Sequence, residues 1–347
     1  MENIENILII RRAAIGDIIF TLPAYYMLKA NFPHANISYL VKDSYASVLK
    51  GFPGLDQVLV INTKALSSRK INQIWKTVSD LFHTIRANNY QLVVDLSGQR
   101  EHALLLWLCG IKYRWGFMKS RKLLHSLLYT ITFVRQSHRE RHRDPSLDMH
   151  RIDQHLQLLK KGGLSSFPIK NEYIVPTENI EKAKALFDKW GLSLQSPTIF
   201  IQPFTGATTA GKIWPLARYV ALADYWKDKG VQVVFGGGPS EREKLSYIAT
   251  RFPIAAGQSD FVTSVGLTML SSMVVGGDTG LLHAALAVGK RTVMLAGPTN
   301  YNVIGPYQHP EWVVIPQNGY SMDDISVEQV IEATKKAFNE ILPGNNI

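Results

Sequence analysis

The sequence predicts an α/β protein built as two doubly wound, mainly parallel sheets. Three observations carry that reading. The strand candidates are short, continuous, β-branched runs, as in sheets covered on both faces. They alternate with helical stretches. The alternation stops and restarts once, near residue 175. At 347 residues and 46% hydrophobic, the chain is long enough to bury two cores.

Ile7–Ile10 opens the first half as a buried strand, and Asp17–Asn31 follows as one helix, with Ile18, Ile19, Leu22, Tyr26 and Met27 near i, i+3, i+4 spacing. Ile37–Val41, Gln57–Ile61 and Leu92–Leu96 are further strands, separated by helices near Ser44–Leu49, Lys70–Ala87 and Glu101–Cys109. Glu172–Gln195 holds a hydrophilic helix and a Ser/Pro stretch and reads as the linker. The second half gives strands at Thr198–Gln202, Val231–Phe235, Met273–Val275 and Arg291–Leu295. Its helices are Pro215–Lys229, one after Pro239, and Thr279–Val288, before a final amphipathic helix at Val327–Leu342. The expected division is 1–175, 176–325 and a C-terminal helix and tail at 326–347. Such domains place a ligand cleft between them, at the carboxyl ends of the strands.

Composition excludes several classes. The one cysteine, Cys109, rules out an internal disulfide and a Cys/His zinc framework. The acidic start lacks a signal-peptide pattern, and the runs Ala103–Cys109 and Leu123–Val134 fall well short of the ~18 residues of a membrane span. A cytoplasmic protein is expected. Residues 1–175 carry 24 Lys and Arg against 13 Asp and Glu, while residues 176–347 carry 14 against 15. The first half should therefore meet a large anion or an anionic surface. No nucleic-acid motif accompanies that charge, so nucleic acid is not an expected partner.

Four constellations could carry chemistry. The first, RRAAIGDIIFTLPA at 11–24, lies on a strand-to-helix turn. Gly16 permits a tight turn beside a ligand; Asp17 is either a functional carboxylate or only a helix N-cap. No G-x-G-x-x-G follows the first strand, which argues against a nicotinamide enzyme. The second, QPFTGATTAGKIWP at 202–215, offers Thr205, Thr208, Thr209 and Lys212, a charge suited to phosphate. The rival reading is a polar loop with a solvated lysine. The third, VVFGGGPSERE at 233–243, places Glu241 and Glu243 where a carboxylate could hold ribose hydroxyls, or merely favour a helix start. The fourth is the most specific: VVGGDTGLLHAALAVGKRTVMLAGPTN at 274–300. Backbone N–H groups of Thr279, Gly280 and Leu281 would form an anion site at a helix N-terminus, with His283 four residues after Thr279.

These residues resemble glycosyltransferase family 9, the ADP-heptose:lipopolysaccharide heptosyltransferases. The shared pattern runs from Arg12 to Pro23, through Val94–Gly98 and Trp115-Gly116-Phe117, to Lys212-Ile213-Trp214-Pro215. It continues at Gly236–Pro239, Gly277–Gly289 and Gly297-Pro298-Thr299. Thr208 and Thr209 fall one residue nearer the lysine than the family's paired threonines.

The resemblance implies a GT-B architecture with the donor held by the C-terminal domain. It implies inverting, metal-independent transfer of heptose from ADP-heptose to the lipopolysaccharide inner core, without a cofactor. Asp17 falls on the family's catalytic base and Lys212 on the lysine that holds the donor phosphates. Asp278 would hold heptose hydroxyls; Thr279, Gly280 and His283 the pyrophosphate; Glu241 the ribose. Arg11, Arg12, Gly16, Arg121 and Lys122 are the acceptor-side candidates. The basic stretch Lys119–Arg143, with Leu123, Leu124, Leu127, Leu128, Tyr129 and Phe133 interleaved, reads as a contact for phosphorylated lipid or the anionic inner-membrane face, or as a solvated helix and loop. Two rivals stay open: a family-9 transferase using another sugar or acceptor, and a non-catalytic nucleotide-sugar binder.

Overall fold

The computed structural model describes residues 4–62, 70–118, 127–136, 147–165, 168–206 and 211–341. The chain divides into two compact units, Met1–Gln136 with Arg151–Asn171, and Ser137–His150 with Glu172–Ile347.

The first unit carries a six-stranded sheet. Its strands are β1 (Asn6–Ile10), β2 (Asn36–Lys42), β3 (Gln57–Ile61), β4 (Leu92–Asp95), β5 (Tyr113–Met118) and β6 (Ile131–Val134). They are all parallel, in the order β3-β2-β1-β4-β5-β6. Its helices are α1 (Ile15–Ile19), α2 (Leu22–Asn31), α3 (Ile71–Ala87), α4 (Arg100–Leu108) and α5 (Arg151–Lys161). α3 and α4 cover one sheet face, where Leu81, Ile85, Ala103 and Leu106 pack against Leu8, Leu40, Leu59 and Val93.

The second unit carries a five-stranded parallel sheet in the order β11-β10-β9-β7-β8. Its strands are β7 (Thr198–Gln202), β8 (Gln232–Phe235), β9 (Met273–Gly277), β10 (Arg291–Leu295) and β11 (Val313–Val314). Its helices are α6 (Thr177–Lys189), α7 (Leu216–Asp228), α8 (Phe261–Leu270), α9 (Gly280–Ala287), α10 (Tyr301–Ile304) and α11 (Val327–Ile341).

Several expectations change. The single helix over 17–31 is two helices, α1 and α2, broken at Phe20 and Thr21. Pro23 lacks an N–H and disfavours helical backbone just before it, so it fits only a first turn. Ser44–Leu49 is a 3-10 stretch, Asp43–Gly51, and the helix after Pro239 is two short 3-10 turns. The hydrophilic helix of the expected linker is α6, which buries Asn179, Ala183 and Phe187 within the second unit. β5, β6, α5 and α8 went unread. Residues 129–136 of the basic stretch are not a surface helix: Tyr129 is buried in the core and Ile131–Val134 is the edge strand β6. The rest of that stretch up to residue 126, with Arg121 and Lys122, lies outside the described residues, as do 137–146.

One glycine is dictated by the sheet. A Cβ on Gly276 would stand 2.7 Å from the carbonyl oxygen of Gln202 on the paired strand β7. That neighbour is backbone and cannot swing away. Gly276→Ala should destabilise the protein by about 1–3 kcal/mol. A thermal melt should show Tm lowered by several degrees, and an unchanged Tm would reject this packing.

Candidate active site

Each sheet has one point where its winding reverses. In the first unit β1 leads outward to β2, while its neighbour β4 leads the other way to β5; in the second, β7 and β9 stand in that relation. Open α/β sheets bind ligands in the crevice outside the strand ends at such points. Arg11 and Asp17 of the first unit, and Lys212, Asp278 and His283 of the second, gather there.

In the first unit, Arg11 and Arg12 directly follow β1. Arg11 is buried; its Nη1 donates to the carbonyl of Leu96, just beyond β4, at 2.5 Å, and its Nη2 pairs with Asp17 Oδ2. The Nε of Arg11 is buried without a hydrogen-bond partner. Asp17 is not the N-cap of α1. That position is Ala14, and Asp17 reaches back to its N–H at 3.4 Å, a weak contact beside the ion pair. Gly16 makes no tight turn; it is the second residue of α1.

Burial acts to raise the carboxyl pKa of Asp17. The charge and hydrogen bond of Arg11, with the charges of Arg151 and Arg135, outweigh it and hold the pKa at about 2. Arg151 is buried in turn, and burial, then the Arg135 charge, lower its pKa to about 9. The surroundings of Asp17 are thus strongly positive and the carboxylate stays ionised.

In the second unit the loop after β7 leads to Lys212, and β9 ends at Asp278. Gly211 has φ +84°, a left-handed turn that L side chains rarely adopt. Trp214 is fully buried, donating its indole N–H to the Ile325 carbonyl at 2.8 Å and meeting Tyr219 edge-on. That anchor, two residues on, fixes where Lys212 emerges. Lys212 Nζ lies 3.1 Å from Asp278 Oδ2, and its side chain is 19% exposed. It is therefore no solvated loop lysine.

His283 Nε2 lies 3.2 Å from Asp278 Oδ1, and Thr299 donates to Oδ2 at 3.5 Å. Burial favours the neutral acid at Asp278, but the hydrogen bond and charge of His283 and the charge of Lys212 overcome it and lower its pKa. Thr279 is the N-cap of α9, with its hydroxyl accepting from Leu282 N–H at 3.2 Å. A Cβ on Gly277 would meet Thr205 and the Lys212 carbonyl at 3.3–3.4 Å, so this glycine lets the two loops approach.

Asp17 and Arg11 are thus brought together, as are Lys212, Asp278 and His283. Glu241 sits apart in the loop after β8, where Oε2 accepts from Gly238 N–H at 2.7 Å. Thr208 and Thr209 lie outside the described residues. Sequence reasoning passed over His102, gave Asp95 no role beyond its place in the Val94–Gly98 motif, and read Tyr129 only as part of the basic stretch. Tyr129 Oη donates to Asp95 Oδ2 at 2.6 Å, and His102 Nδ1 lies 3.1 Å from the same oxygen. The available signal was Asp95 closing an apolar strand, with a histidine opening a helix seven residues on.

The whole chain is similar to several solved structures. The family-9 glycosyl transferase of Veillonella parvula DSM 2008 superposes with TM-score 0.80 at 20% identity, over 97% of each chain. The E. coli ADP-heptose lps heptosyltransferase II gives TM-score 0.76 at 21% identity, over 96% of this chain and 99% of that one. Two doubly wound parallel sheets, in this order, define a GT-B type protein. Among curated sequences, lipopolysaccharide heptosyltransferase 3 of E. coli K12 is 26% identical over 94% of this chain and 96% of its own. Lipopolysaccharide heptosyltransferase 1 of Salmonella typhimurium LT2 is 22% identical over 87% and 91%. The model of glycosyltransferase family 9 (heptosyltransferase) matches residues 78–332, and the chain belongs to that family.

Proposed function

We propose that the protein transfers heptose from ADP-heptose to the inner core of lipopolysaccharide, with inversion and without a metal ion. The observation that carries this reading is the pair of clusters at the two switch points: an ionised Asp17 in basic surroundings, and Lys212 paired with Asp278 beside a helix N-terminus. The curated relatives named above are lipopolysaccharide heptosyltransferases, and a solved relative with TM-score 0.73 is E. coli heptosyltransferase WaaC with ADP.

The second unit takes the donor. Lys212 turns from Asp278 toward the pyrophosphate and offsets the charge that grows on departing ADP. The N–H groups of Gly280 and Leu281, at the start of α9, add donors to the same anion. Asp278, held by His283, is left to accept from heptose hydroxyls, and Glu241 serves the ribose. The first unit takes the acceptor. Its arginines suit the carboxylates and phosphates of an inner core, and its net charge suits an anionic membrane face.

Asp17 takes the proton of the acceptor hydroxyl as that oxygen attacks the anomeric carbon from the side opposite ADP, which gives inversion. A carboxylate of low pKa suffices. The hydroxyl becomes strongly acidic once its oxygen begins to bond to carbon.

The test is ADP release from ADP-heptose with and without heptose-deficient lipopolysaccharide. Acceptor-dependent release, with a product heavier by one heptose, is expected. Donor binding without acceptor-dependent release rejects the acceptor, and no donor binding rejects the sugar nucleotide.

A further inference from the structure

The loop after β1 and the first turn of α4 meet across the first switch point through a chain of polar contacts. It begins at Asp95, the last residue of β4, which is fully buried. Its Oδ1 accepts from the N–H groups of Ser97 and Gly98 at 2.8 and 3.4 Å. Its Oδ2 takes the hydroxyl of Tyr129 and faces Nδ1 of His102, which is buried as well. On the other side of the imidazole, Nε2 lies 3.4 Å from Nη1 of Arg12.

This arrangement fixes the tautomer. A guanidinium only donates, so Nε2 must accept from Arg12 and carry no proton. The imidazole proton is then on Nδ1 and points at Asp95, an oriented carboxylate–histidine pair in which each group sets the direction of the next. The chain ends on a cation. Arg12 spends one N–H on His102, and its backbone N–H goes to Ser97 Oγ at 3.2 Å. Its Nε is buried without a hydrogen-bond partner. A core network built only for stability would gain nothing from fixing a guanidinium with donors to spare, one residue from the partner of Asp17.

We infer that His102, aligned by Asp95, is a positioning residue that holds Arg12 in the geometry needed to grip an anionic oxygen pair of the acceptor, from a carboxylate or a phosphate. This rests on the acceptor-side reading of the first unit given above. Arg12 makes the contact; His102 acts through it.

The experiment is calorimetric binding of deacylated, heptose-deficient lipopolysaccharide without donor, to wild type, Arg12→Ala, His102→Asn, His102→Gln and the Arg12→Ala/His102→Asn double variant. Arg12→Ala and His102→Asn should each weaken acceptor binding about tenfold, the effect of one misplaced charged hydrogen bond. The double variant should be no weaker than Arg12→Ala alone. His102→Gln, whose Oε1 can reach the place of Nε2, should bind within about threefold of wild type. ADP affinity should not change in any variant. Wild-type binding by His102→Asn, additive losses in the double variant, or no acceptor binding by wild type would overturn the inference.

Should His102→Asn fail to fold, nitrogen-15 NMR of the wild type decides. Nε2 of His102 must be bare and its resonance must move on Arg12→Ala; a bare Nδ1 overturns the proposal. Acceptor-dependent ADP release by wild type is a separate measurement. Its absence, with the binding losses present, would reject heptosyl transfer and leave the positioning role standing.

Discussion

Asp17→Asn should leave ADP-heptose binding unchanged and lower kcat by about 10²–10⁴-fold, the usual worth of a positioned general base. The substitution keeps the shape of the side chain and removes its charge. Arg11 is then left buried without its carboxylate, so part of the effect falls on stability. The sign follows from the pKa. Asp17 titrates at about 2 in the folded protein, below its ordinary 3.8. Its contribution to stability is therefore complete above pH 4 and lost as pH falls through about 2. Wild type and Asp17→Asn should differ in Tm at pH 7 and converge near pH 2.

The same value places any acid limb of turnover between pH 5 and 7 on some other group, since Asp17 is ionised throughout. Donor titration and single-turnover rates separate the effects. Loss of turnover with donor binding retained is the enzyme's signature. Turnover equal to wild type would remove Asp17 from the mechanism. A wild type that binds donor and never turns over would favour a non-catalytic binder.

Much of this was legible in the sequence, for reasons that also explain what was not. β1, β7 and β10 are buried along nearly their whole length, so they read as unbroken apolar runs and their limits are nearly those expected. β5, YRWGFM, contains an arginine, a glycine and three bulky aromatics, and its pattern is not that of a β-branched buried run. Gly116 is there because a Cβ would stand 2.5 Å from the ring of Tyr129, a contact between β5 and the approach to β6 that local periodicity cannot carry. α8 is apolar nearly all round, which erases the helical period.

The site was read in the same uneven way. Asp17, Lys212, Asp278 and His283 stand at strand-to-helix junctions, where glycine and small residues mark the place. The pairing of Lys212 with Asp278 joins positions 66 residues apart and belongs to the sheet order β7-β9, not to any motif. Arg151 and Arg135 act on Asp17 only through the fold.

Lys212→Ala should lower kcat by about 10²–10³-fold and weaken ADP binding as well, because the lysine opposes charge that is present in the bound donor and grows in the transition state. The pairing with Asp278 at 3.1 Å sharpens the expectation. In the free protein the lysine is held in place by a carboxylate, so its arrival at the phosphates requires only an exchange of partners and little reordering of the side chain. Lys212→Arg keeps the charge and should recover part of the rate, with the planar fork fitting the site imperfectly.

With the lysine gone, Asp278 keeps His283 and Thr299 as partners. A Lys212→Ala enzyme that binds ADP as wild type does would place the lysine outside the donor site and leave it only a structural partner of Asp278.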